Sequence, residues 1–177
     1  IDFGKISYDF LNSKTICLMN TSEIPMKFVL RVPQDGTLLN KEFQLIPPYG
    51  TVLPAGKQQI TVDFISTNVK RYDYYLTVDV EGVGEGLLSI PIMAECQVPE
   101  VRLLADSLHY GECFMRYPYQ QTLTLVNESD LKAKYEVVAQ DEHSQAVASY
   151  EADAFKGAIQ PYSQHEVSMA MVCEKLG

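Results

Sequence analysis

Apolar and polar residues alternate in short stretches along most of the chain. The clearest example ends at Phe64, which shares one side of the pattern with Ile60 and Val62. Side chains at alternate positions lie on one face of a β-strand, so this spacing predicts a strand at Lys57–Phe64 with those side chains in a core. No segment shows sustained apolar spacing of the helical kind. The pattern therefore predicts an all-β chain.

Other segments have the same character and are separated by residues that favour turns. Two of them, Tyr72–Glu81 and Leu87–Glu95, flank the glycine-rich stretch Gly82–Gly86, and this arrangement predicts a β-hairpin. A further strand is predicted at Thr15–Asn20. Short strands with turns about every 8–12 residues are typical of a β-sandwich.

The chain also matches itself without a gap when it is shifted by 107 positions, which places Gly4 on Gly111 and Asn20 on Asn127. The matches occur at turn residues and at alternating apolar positions, where a shared fold would place them. We therefore predict two copies of one topology, with equivalent side chains facing the two cores. The other matched pairs include Phe3 with Tyr110, Ile16 with Leu123, Leu18 with Leu125, Ser22 with Ser129, Phe28 with Tyr135, Gly50 with Gly157, Val52 with Ile159, Pro54 with Pro161 and Ile60 with Val167.

The repeat length is that of a whole β-sandwich with its linker, and it is too long for one unit of a solenoid. We assign residues 1–97 to one immunoglobulin-like domain and residues 98–177 to a second. Pro99–Leu104 is predicted to form the opening strand of the second domain, and the first domain is expected to lack its own opening strand. The second domain is expected to lack counterparts of Arg71–Gln97, which hold the last two strands of the first.

Composition and charge narrow the possible partners. Of the 177 residues, 46% are hydrophobic and 21% are charged, which is typical of a chain that buries a core. The formal net charge of −9 opposes binding to nucleic acid and to anionic membrane surfaces. The apolar stretches are much shorter than a membrane span. We therefore expect neither nucleic acid nor a membrane among the partners.

The cysteines indicate neither a metal site nor a disulfide framework. The chain has no C-x-x-C pair, so neither a zinc ribbon nor a redox motif is indicated. An extracellular immunoglobulin domain commonly joins its sheets by a disulfide from the second to the sixth strand, but Tyr72–Glu81 contains no cysteine. We interpret all four as free thiols in a reducing compartment. The four are Cys17, Cys96, Cys113 and Cys173.

Two tripeptides, Asn20–Ser22 and Asn127–Ser129, have the form of N-glycosylation sequons. An asparagine and a serine at the end of a strand can also bond to nearby backbone groups and close a turn. The motif recurs at the same place in both copies, which favours the turn. A glycan or a disulfide on the protein would instead support an extracellular adhesion domain.

A search for catalytic chemistry finds no constellation of acid, base and nucleophile. His109, His143 and His165 do not recur between the copies and have no cysteine or aspartate at a ligand-like spacing. Neighbouring carboxylates, such as Asp141 with Glu142, lie in loops and are interpreted as solubilising. We therefore expect a protein that is not an enzyme and has no catalytic, cofactor-binding or metal-binding residues.

Three tyrosines lie in one predicted strand, and two of them are candidates for contact with other molecules. We interpret Tyr74 as a core residue, and Tyr72 and Tyr75 as a contact surface. Stacking of these rings on single-stranded nucleic acid would require a basic setting, which the segment lacks.

Several segments together resemble the ASH/MSP-like domains, the PapD-like immunoglobulin sandwiches of ciliary and centrosomal proteins. The resemblance covers most of both copies. Segments shared across the domain family are Ile1–Gly4, Leu18–Ser22, Pro47–Pro54 and Ile60–Phe64. Further segments resemble one stretch of a ciliary member of the family, namely Asn20–Met26, Arg31–Gly36, Val78–Glu85 and Cys113–Tyr119.

The resemblance implies a giant array of such domains on the C2 microtubule of the central pair in motile cilia. It implies a structural role in the projections that radial spokes contact during beating, a location in the axoneme, and partners among the central-apparatus proteins and the C2 microtubule. The family has no catalytic residues to carry over. VAP-type MSP domains bind acidic FFAT peptides through a basic groove, and this chain has no basic cluster. The alternative is a cytosolic or centrosomal interaction adaptor of the same fold.

Overall fold

The computed structural model describes residues 1–33 and 41–175 and consists almost entirely of β-strands. The chain divides into two compact units, Ile1–Val98 and Pro99–Gly177. Each unit has a hydrophobic core of its own. The predicted all-β class is confirmed.

The first unit is a sandwich of two sheets. Its strands are β1 (Asp2–Ser7), β2 (Leu11–Met19), β3 (Met26–Arg31), β4 (Phe43–Ile46), β5 (Tyr49–Val52), β6 (Lys57–Ile65), β7 (Arg71–Val80) and β8 (Gly84–Gln97). One sheet has the order β1-β8-β7-β3-β5 and the other the order β2-β6-β4. β1 runs parallel to β8, and the other neighbouring strands are antiparallel.

The core of the first unit lies between these sheets and follows the alternation in the sequence. Ile60, Val62 and Phe64 of β6 are fully buried, as predicted. From the opposite sheet, β7 buries Leu76 and Val78 against them. Each large aliphatic side chain buried in this way contributes roughly 1.5–3 kcal/mol, so the facing strands supply much of the stability.

The second unit has fewer strands and one short helix. Its elements are β9 (Val101–Leu103), β10 (Pro118–Asn127), β11 (Ala133–Glu136), α1 (Glu142–Gln145), β12 (Ala148–Ala152), β13 (Lys156–Ile159) and β14 (Gln164–Cys173). The sheets have the orders β12-β14-β10-β9 and β11-β13. The predicted opening strand is present as β9, which pairs with β10. The single helical turn replaces a predicted loop, because the Asp141 carboxylate caps it by accepting a hydrogen bond from the Ser144 N–H.

Strand pairing in the two units follows one register, which confirms the predicted repeat. Ile16 pairs with Ile60 in the first unit, and their counterparts Leu123 and Val167 pair in the second. Ile60 and Val167 are both completely buried. A slip of one residue would have turned these side chains to opposite faces, so the gapless alignment reflects a shared topology.

The edge pair of strands also recurs, together with an aromatic ring that covers a glycine. Phe28 on β3 pairs with Gly50 on β5, and Tyr135 on β11 pairs with Gly157 on β13. A Cβ atom at Gly50 would lie 3.1 Å from Cε1 of the Phe28 ring, and one at Gly157 would lie 2.5 Å from Cε1 of the Tyr135 ring. The glycine leaves space for the ring in both copies.

Left-handed backbone turns recur at equivalent positions too. Gly4 and Gly111 have φ angles of 67° and 68°, and Asp9 and Arg116 have φ angles of 57° and 58°. Left-handed conformations are uncommon for residues other than glycine, so their coincidence indicates that the same tight turns shape both copies.

The β7–β8 hairpin is tighter than the glycine pattern predicts. The predicted turn is Gly82–Gly86, whereas the structure already pairs Gly84 with Val80. Gly86 lies within β8 at a φ of 62°, and its N–H donates to the carboxylate of Asp79 at 2.6 Å. The later glycine therefore shapes an irregular stretch of strand and not the turn itself.

Among the described residues, the second unit has an open strand edge at a place where the first unit has a paired strand. β3 lies between β5 and β7, but its counterpart β11 pairs with β13 alone within the part of the chain that the structure describes. Residues 109–114, the counterparts of β1, form no strand. Because β1 pairs with β8 in its sheet, both differences accompany the absence of β7 and β8 counterparts among the described residues.

Extension of the chain provides a test of this open edge. A copy of Arg71–Gln97 placed after Gly177 continues the 107-residue register. We expect it to pair with β11 and to slow hydrogen exchange of the β11 amides, measured by mass spectrometry. The control extension carries Leu76→Asp and Val78→Asp in the copied segment. Equal protection from both extensions would contradict the expectation.

Replacement of each ring-covered glycine by alanine should affect the two units differently. Gly157→Ala places a methyl group against the Tyr135 ring and should destabilise the second unit by about 1–3 kcal/mol. Gly50→Ala requires only a small ring movement and gains about 0.5–1 kcal/mol of backbone entropy, so it should be nearly neutral. Denaturant unfolding, followed by hydrogen exchange in each unit, measures the free energy of unfolding of both variants. Equal losses of stability from the two substitutions would contradict this prediction.

Candidate protein-interaction surface

A buried asparagine closes the turn after the second strand of the first unit. The Asn20 side-chain N–H donates to the carbonyl of Ile24 at 2.8 Å and to that of Val52 at 3.0 Å. Its Oδ1 accepts from the N–H of Ser22 at 3.0 Å and from the Ser22 hydroxyl at 2.7 Å. Every polar atom of the amide is thus engaged, as burial requires.

The second unit repeats this network at every position. The Asn127 amide donates to the carbonyls of Leu131 at 2.6 Å and Ile159 at 3.4 Å. Its Oδ1 accepts from the Ser129 N–H at 3.1 Å and the Ser129 hydroxyl at 2.7 Å. The predicted turn role of both tripeptides is confirmed, and the asparagine nitrogens are buried donors in the folded chain.

The buried carboxylate of Glu42 accepts several hydrogen bonds, and its contacts are structural. Oε1 accepts hydrogen bonds from the N–H of Thr67 at 2.7 Å, the Thr67 hydroxyl at 2.6 Å and the Tyr72 hydroxyl at 2.7 Å. Burial by itself would raise the pKa of the Glu42 carboxyl, but these hydrogen bonds outweigh it and hold the pKa below its ordinary value. An ionised acceptor with three donors anchors the loop before β7.

The interpretation of Tyr72 as a contact residue is wrong. Its side chain is 1% exposed and packs edge-on against the Phe64 ring. Burial, followed by the hydrogen bond to Glu42, raises the pKa of its hydroxyl far above the ordinary value. Tyr74 packs against the core as predicted, and Tyr75 is 51% exposed. The register of β7 turns its even-numbered residues inward, so Tyr72 and Tyr74 face the core and Tyr75 faces outward.

The histidines lie apart from one another in the second unit. His165 Nε2 lies 2.9 Å from the Tyr135 hydroxyl, and His109 Nε2 lies 2.9 Å from the Ser107 hydroxyl. His143 lies in α1. Within residues 1–33 and 41–175, no group of three or more histidine, cysteine or carboxylate side chains could hold a metal ion. None of the described helices is long and apolar enough to span a bilayer.

The outward surface of the five-stranded sheet carries an exposed apolar pair. Val29 on β3 and Tyr49 on β5 are direct cross-strand partners, and they are 49% and 69% exposed. They line a shallow groove of about 250 Å³ together with Lys27 and Glu81. We call Val29 and Tyr49 the outer apolar pair.

The equivalent pair in the second unit is charged. Glu136 and Lys156 are the counterparts of Val29 and Tyr49, and they are cross-strand partners in the same register. The Lys156 amine lies 3.0 Å from the Glu136 carboxylate. The fold therefore accepts an ion pair at this place, and it does not require the exposed apolar side chains of the first unit. The exposed apolar pair is therefore a candidate for contact with another molecule.

Charged groups border the outer apolar pair. The Arg31 guanidinium binds the Asp79 carboxylate through two contacts, at 2.6 Å and 2.9 Å. The hydrogen bond from Arg31, assisted by the N–H of Gly86, lowers the pKa of Asp79. Lys27 pairs with Glu81 at 3.2 Å. An apolar centre with a charged, solvated rim is the arrangement found at protein–protein contacts.

Sequence reasoning did not single out this pair, although the repeat contained the signal. Val29 and Tyr49 lie in different strands, and only the pairing of β3 with β5 brings them together. A comparison of outward positions between the copies, where valine and tyrosine align with glutamate and lysine, could have found them.

Comparison with known proteins gives a family match. Residues 1–90 match the family described as HYDIN/CFA65/VesB-like, Ig-like domain. The chain is 32% identical over 203 aligned residues to the hydrocephalus-inducing protein of Mus musculus, and equally identical to its Homo sapiens homologue. These alignments cover 100% of this chain and 4% of each relative. The predicted immunoglobulin-like class is confirmed.

Solved structures with a similar arrangement include two proteins of low sequence identity. One is the CsuC–CsuE chaperone–adhesion subunit complex of Acinetobacter baumannii, with a TM-score of 0.40 and 18% identity over 93% of this chain and 82% of that chain. The other is SSP-19, an MSP-domain-like protein of Caenorhabditis elegans, with a TM-score of 0.39 and 16% identity over 52% of this chain and 92% of that chain.

Removal of the buried amide should destabilise the first unit. Asn20→Ala leaves the carbonyls of Ile24 and Val52 without their donor, so we expect a loss of about 1–3 kcal/mol in the free energy of unfolding. Thr21→Ala in the same tripeptide alters an exposed side chain and serves as the control. Urea unfolding measures both, and equal midpoints for the two variants would contradict the role of the amide.

The Glu42 cluster predicts a loss of stability in acid. A carboxyl whose folded pKa lies below its ordinary value of 4.5 stabilises the fold above that pH, and the contribution is lost as the pH falls through the folded pKa. Glu42→Gln weakens charge-assisted hydrogen bonds and should cost about 1–2 kcal/mol at pH 7. The cost should shrink towards pH 3. Urea unfolding midpoints measured from pH 7 to pH 3 test this prediction, with Glu23→Gln at an exposed position as the control. A loss of stability that does not change with pH would exclude a role for the ionised Glu42 carboxylate.

Proposed function

Because the chain belongs to the HYDIN/CFA65/VesB-like Ig-like domain family, we propose that it is a structural segment of a ciliary protein and acts by binding other proteins. The observation that carries the binding role is the outer apolar pair of the first unit. An ion pair takes its place in the second unit, so the fold itself does not require apolar side chains there. The role proposed is that of a scaffold without catalysis.

A location in the motile axoneme, on the C2 projection of the central pair, is the finer part of the proposal. Whole-chain similarity to the mouse and human hydrocephalus-inducing proteins supports it, as do the ciliary segments identified in the sequence. The partners proposed are other central-apparatus proteins and the C2 microtubule, and the role is in ciliary movement. The net charge of −9 favours contact with other central-apparatus proteins over direct electrostatic binding to tubulin, which is also acidic.

The two alternative roles, an extracellular adhesion domain and an interaction adaptor, predict different properties of the chain. An extracellular adhesion domain would use the sequon asparagines for glycans, but both side chains are buried hydrogen-bond donors. A centrosomal or cytosolic adaptor of the same fold would share the sandwich and a binding face. Location in the cell therefore distinguishes the scaffold from the adaptor.

Location is tested by tagging the endogenous protein in cells with motile cilia and extracting the membranes with detergent. We expect the tagged protein in the axonemal pellet and along the central pair by immunoelectron microscopy. Recovery in the soluble fraction, or signal confined to the centrosome, would favour the adaptor and overturn the axonemal assignment.

The outer apolar pair can be tested by installing the second unit's own residues. Val29→Glu with Tyr49→Lys should preserve the fold, since this pair is accepted at the equivalent place in the second unit. Binding of axonemal proteins to the purified chain, measured by quantitative pull-down, should fall about tenfold or more if the pair is a binding hot spot. Exposed Tyr162→Ser in the second unit is the control. Unchanged binding by the folded double variant would exclude this surface.

A further inference from the structure

Two cysteines of the second unit are brought together by a tight turn. Cys173 is the last residue of β14, and its carbonyl accepts a hydrogen bond from the N–H of Arg116 at 2.9 Å. Cys113 lies three residues before Arg116 in the segment between β9 and β10. Its thiol lies 3.6 Å from the carbonyl of Tyr110. The turn thus folds the cysteine-bearing segment back onto the end of the strand.

The first unit contains the same turn. Asp9, the counterpart of Arg116, donates from its N–H to the carbonyl of Ser66 at 3.1 Å. Both turn residues are left-handed, with φ angles of 57° and 58°. Ser66 is the counterpart of Cys173 and is completely buried, and Ile6, the counterpart of Cys113, is 2% exposed. In the first unit these two positions therefore lie in one packed region beside Cys96.

Substitution by cysteine converts this region into a pair of neighbouring thiols. The segment that carries Cys113 runs along β14, because the Tyr110 hydroxyl donates to the carbonyl of Met169 at 3.0 Å and the Arg116 N–H donates to that of Cys173 at 2.9 Å. In the second unit, partial burial and then the neighbouring Cys173 thiol raise the pKa of Cys113. Both thiols are partly exposed and accessible to small reagents.

We propose that Cys113 and Cys173 form a reversible disulfide that fastens residues 113–116 to the end of β14. The oxidant is a small-molecule disulfide such as oxidised glutathione. One protein thiolate attacks the small disulfide, forms a mixed disulfide and releases one small thiol. The second protein thiolate then attacks the mixed disulfide and releases the other small thiol. Two electrons pass to the small disulfide, and the two protons of the protein thiols end on the two released thiols.

The other two cysteines serve as internal controls. Cys96 is 3% exposed, whereas Cys17 is exposed on β2. Oxidation should therefore produce one intramolecular disulfide in the second unit and a separate adduct at Cys17. Because the thiolate is the reacting form and the Cys113 pKa is raised, formation should accelerate as the pH increases through the alkaline range.

The purified chain is equilibrated with mixtures of reduced and oxidised glutathione, once folded and once in urea. The samples are quenched with acid and mapped by peptide mass spectrometry. We expect a disulfide-linked Cys113–Cys173 peptide, and an equilibrium constant for forming this disulfide that is at least tenfold larger in the folded chain than in urea. Cys113→Ile and Cys173→Ser install the first unit's residues at these positions, so both should fold and lose the disulfide. Hydrogen exchange of the 113–116 amides should slow on oxidation and recover on reduction.

Two results would overturn the proposal. One is separate glutathione adducts on Cys113 and Cys173 in the native chain, since neighbouring thiols should resolve each other's mixed disulfide. The other is an equilibrium constant in the native chain equal to or below that in urea, which would mean that the fold does not favour the pairing. Preferential pairing of either cysteine with Cys17 would contradict it as well.

Discussion

A buried asparagine at the end of one strand joins the two sheets of each unit. Asn20 follows β2 in one sheet, and its amide donates to Val52 at the end of β5 in the other. Asn127 makes the same connection from β10 to Ile159 of β13. Extracellular immunoglobulin domains commonly use a disulfide to join their sheets. Here a side-chain amide makes the connection. Loss of its hydrogen bonds would leave buried carbonyl groups without a donor and would cost free energy, so the amide fixes the turn, the strand ends and the sheet spacing together.

The other recurring constraints act on the backbone around this connection. A glycine leaves space for the aromatic ring of its cross-strand partner, and left-handed residues turn the chain at equivalent places. These features occur in both copies, whereas many other side chains differ. The fold thus depends on a small set of amides, glycines and turns, together with alternating apolar positions whose exact side chains can vary in size.

The strands could be predicted from local spacing, and the repeat from turn residues and apolar positions that recur 107 residues apart. Ile60, Val62 and Phe64 of β6 alternate with polar residues, and a period of two identifies a strand face without knowledge of its partner. The burial of Tyr72 follows from the same spacing, because Tyr72 shares a strand face with Tyr74 and Leu76, but the partners of its ring and hydroxyl do not. Its position is decided by Phe64 and by the carboxylate of Glu42, thirty residues earlier in the chain. The outer apolar pair likewise exists only once β3 and β5 are paired.

The division between shared and variable positions explains how a repeated fold can carry different functions. Where the first unit has Val29 and Tyr49, the second has an ion pair, and both copies keep the same strand register. Where the first unit has Phe28 and Gln58, the second has Tyr135 and His165, whose side chains bond to each other. Such positions can change without loss of the fold because the buried amides and turns hold the backbone. Outward positions can therefore differ between the two copies while the framework stays constant.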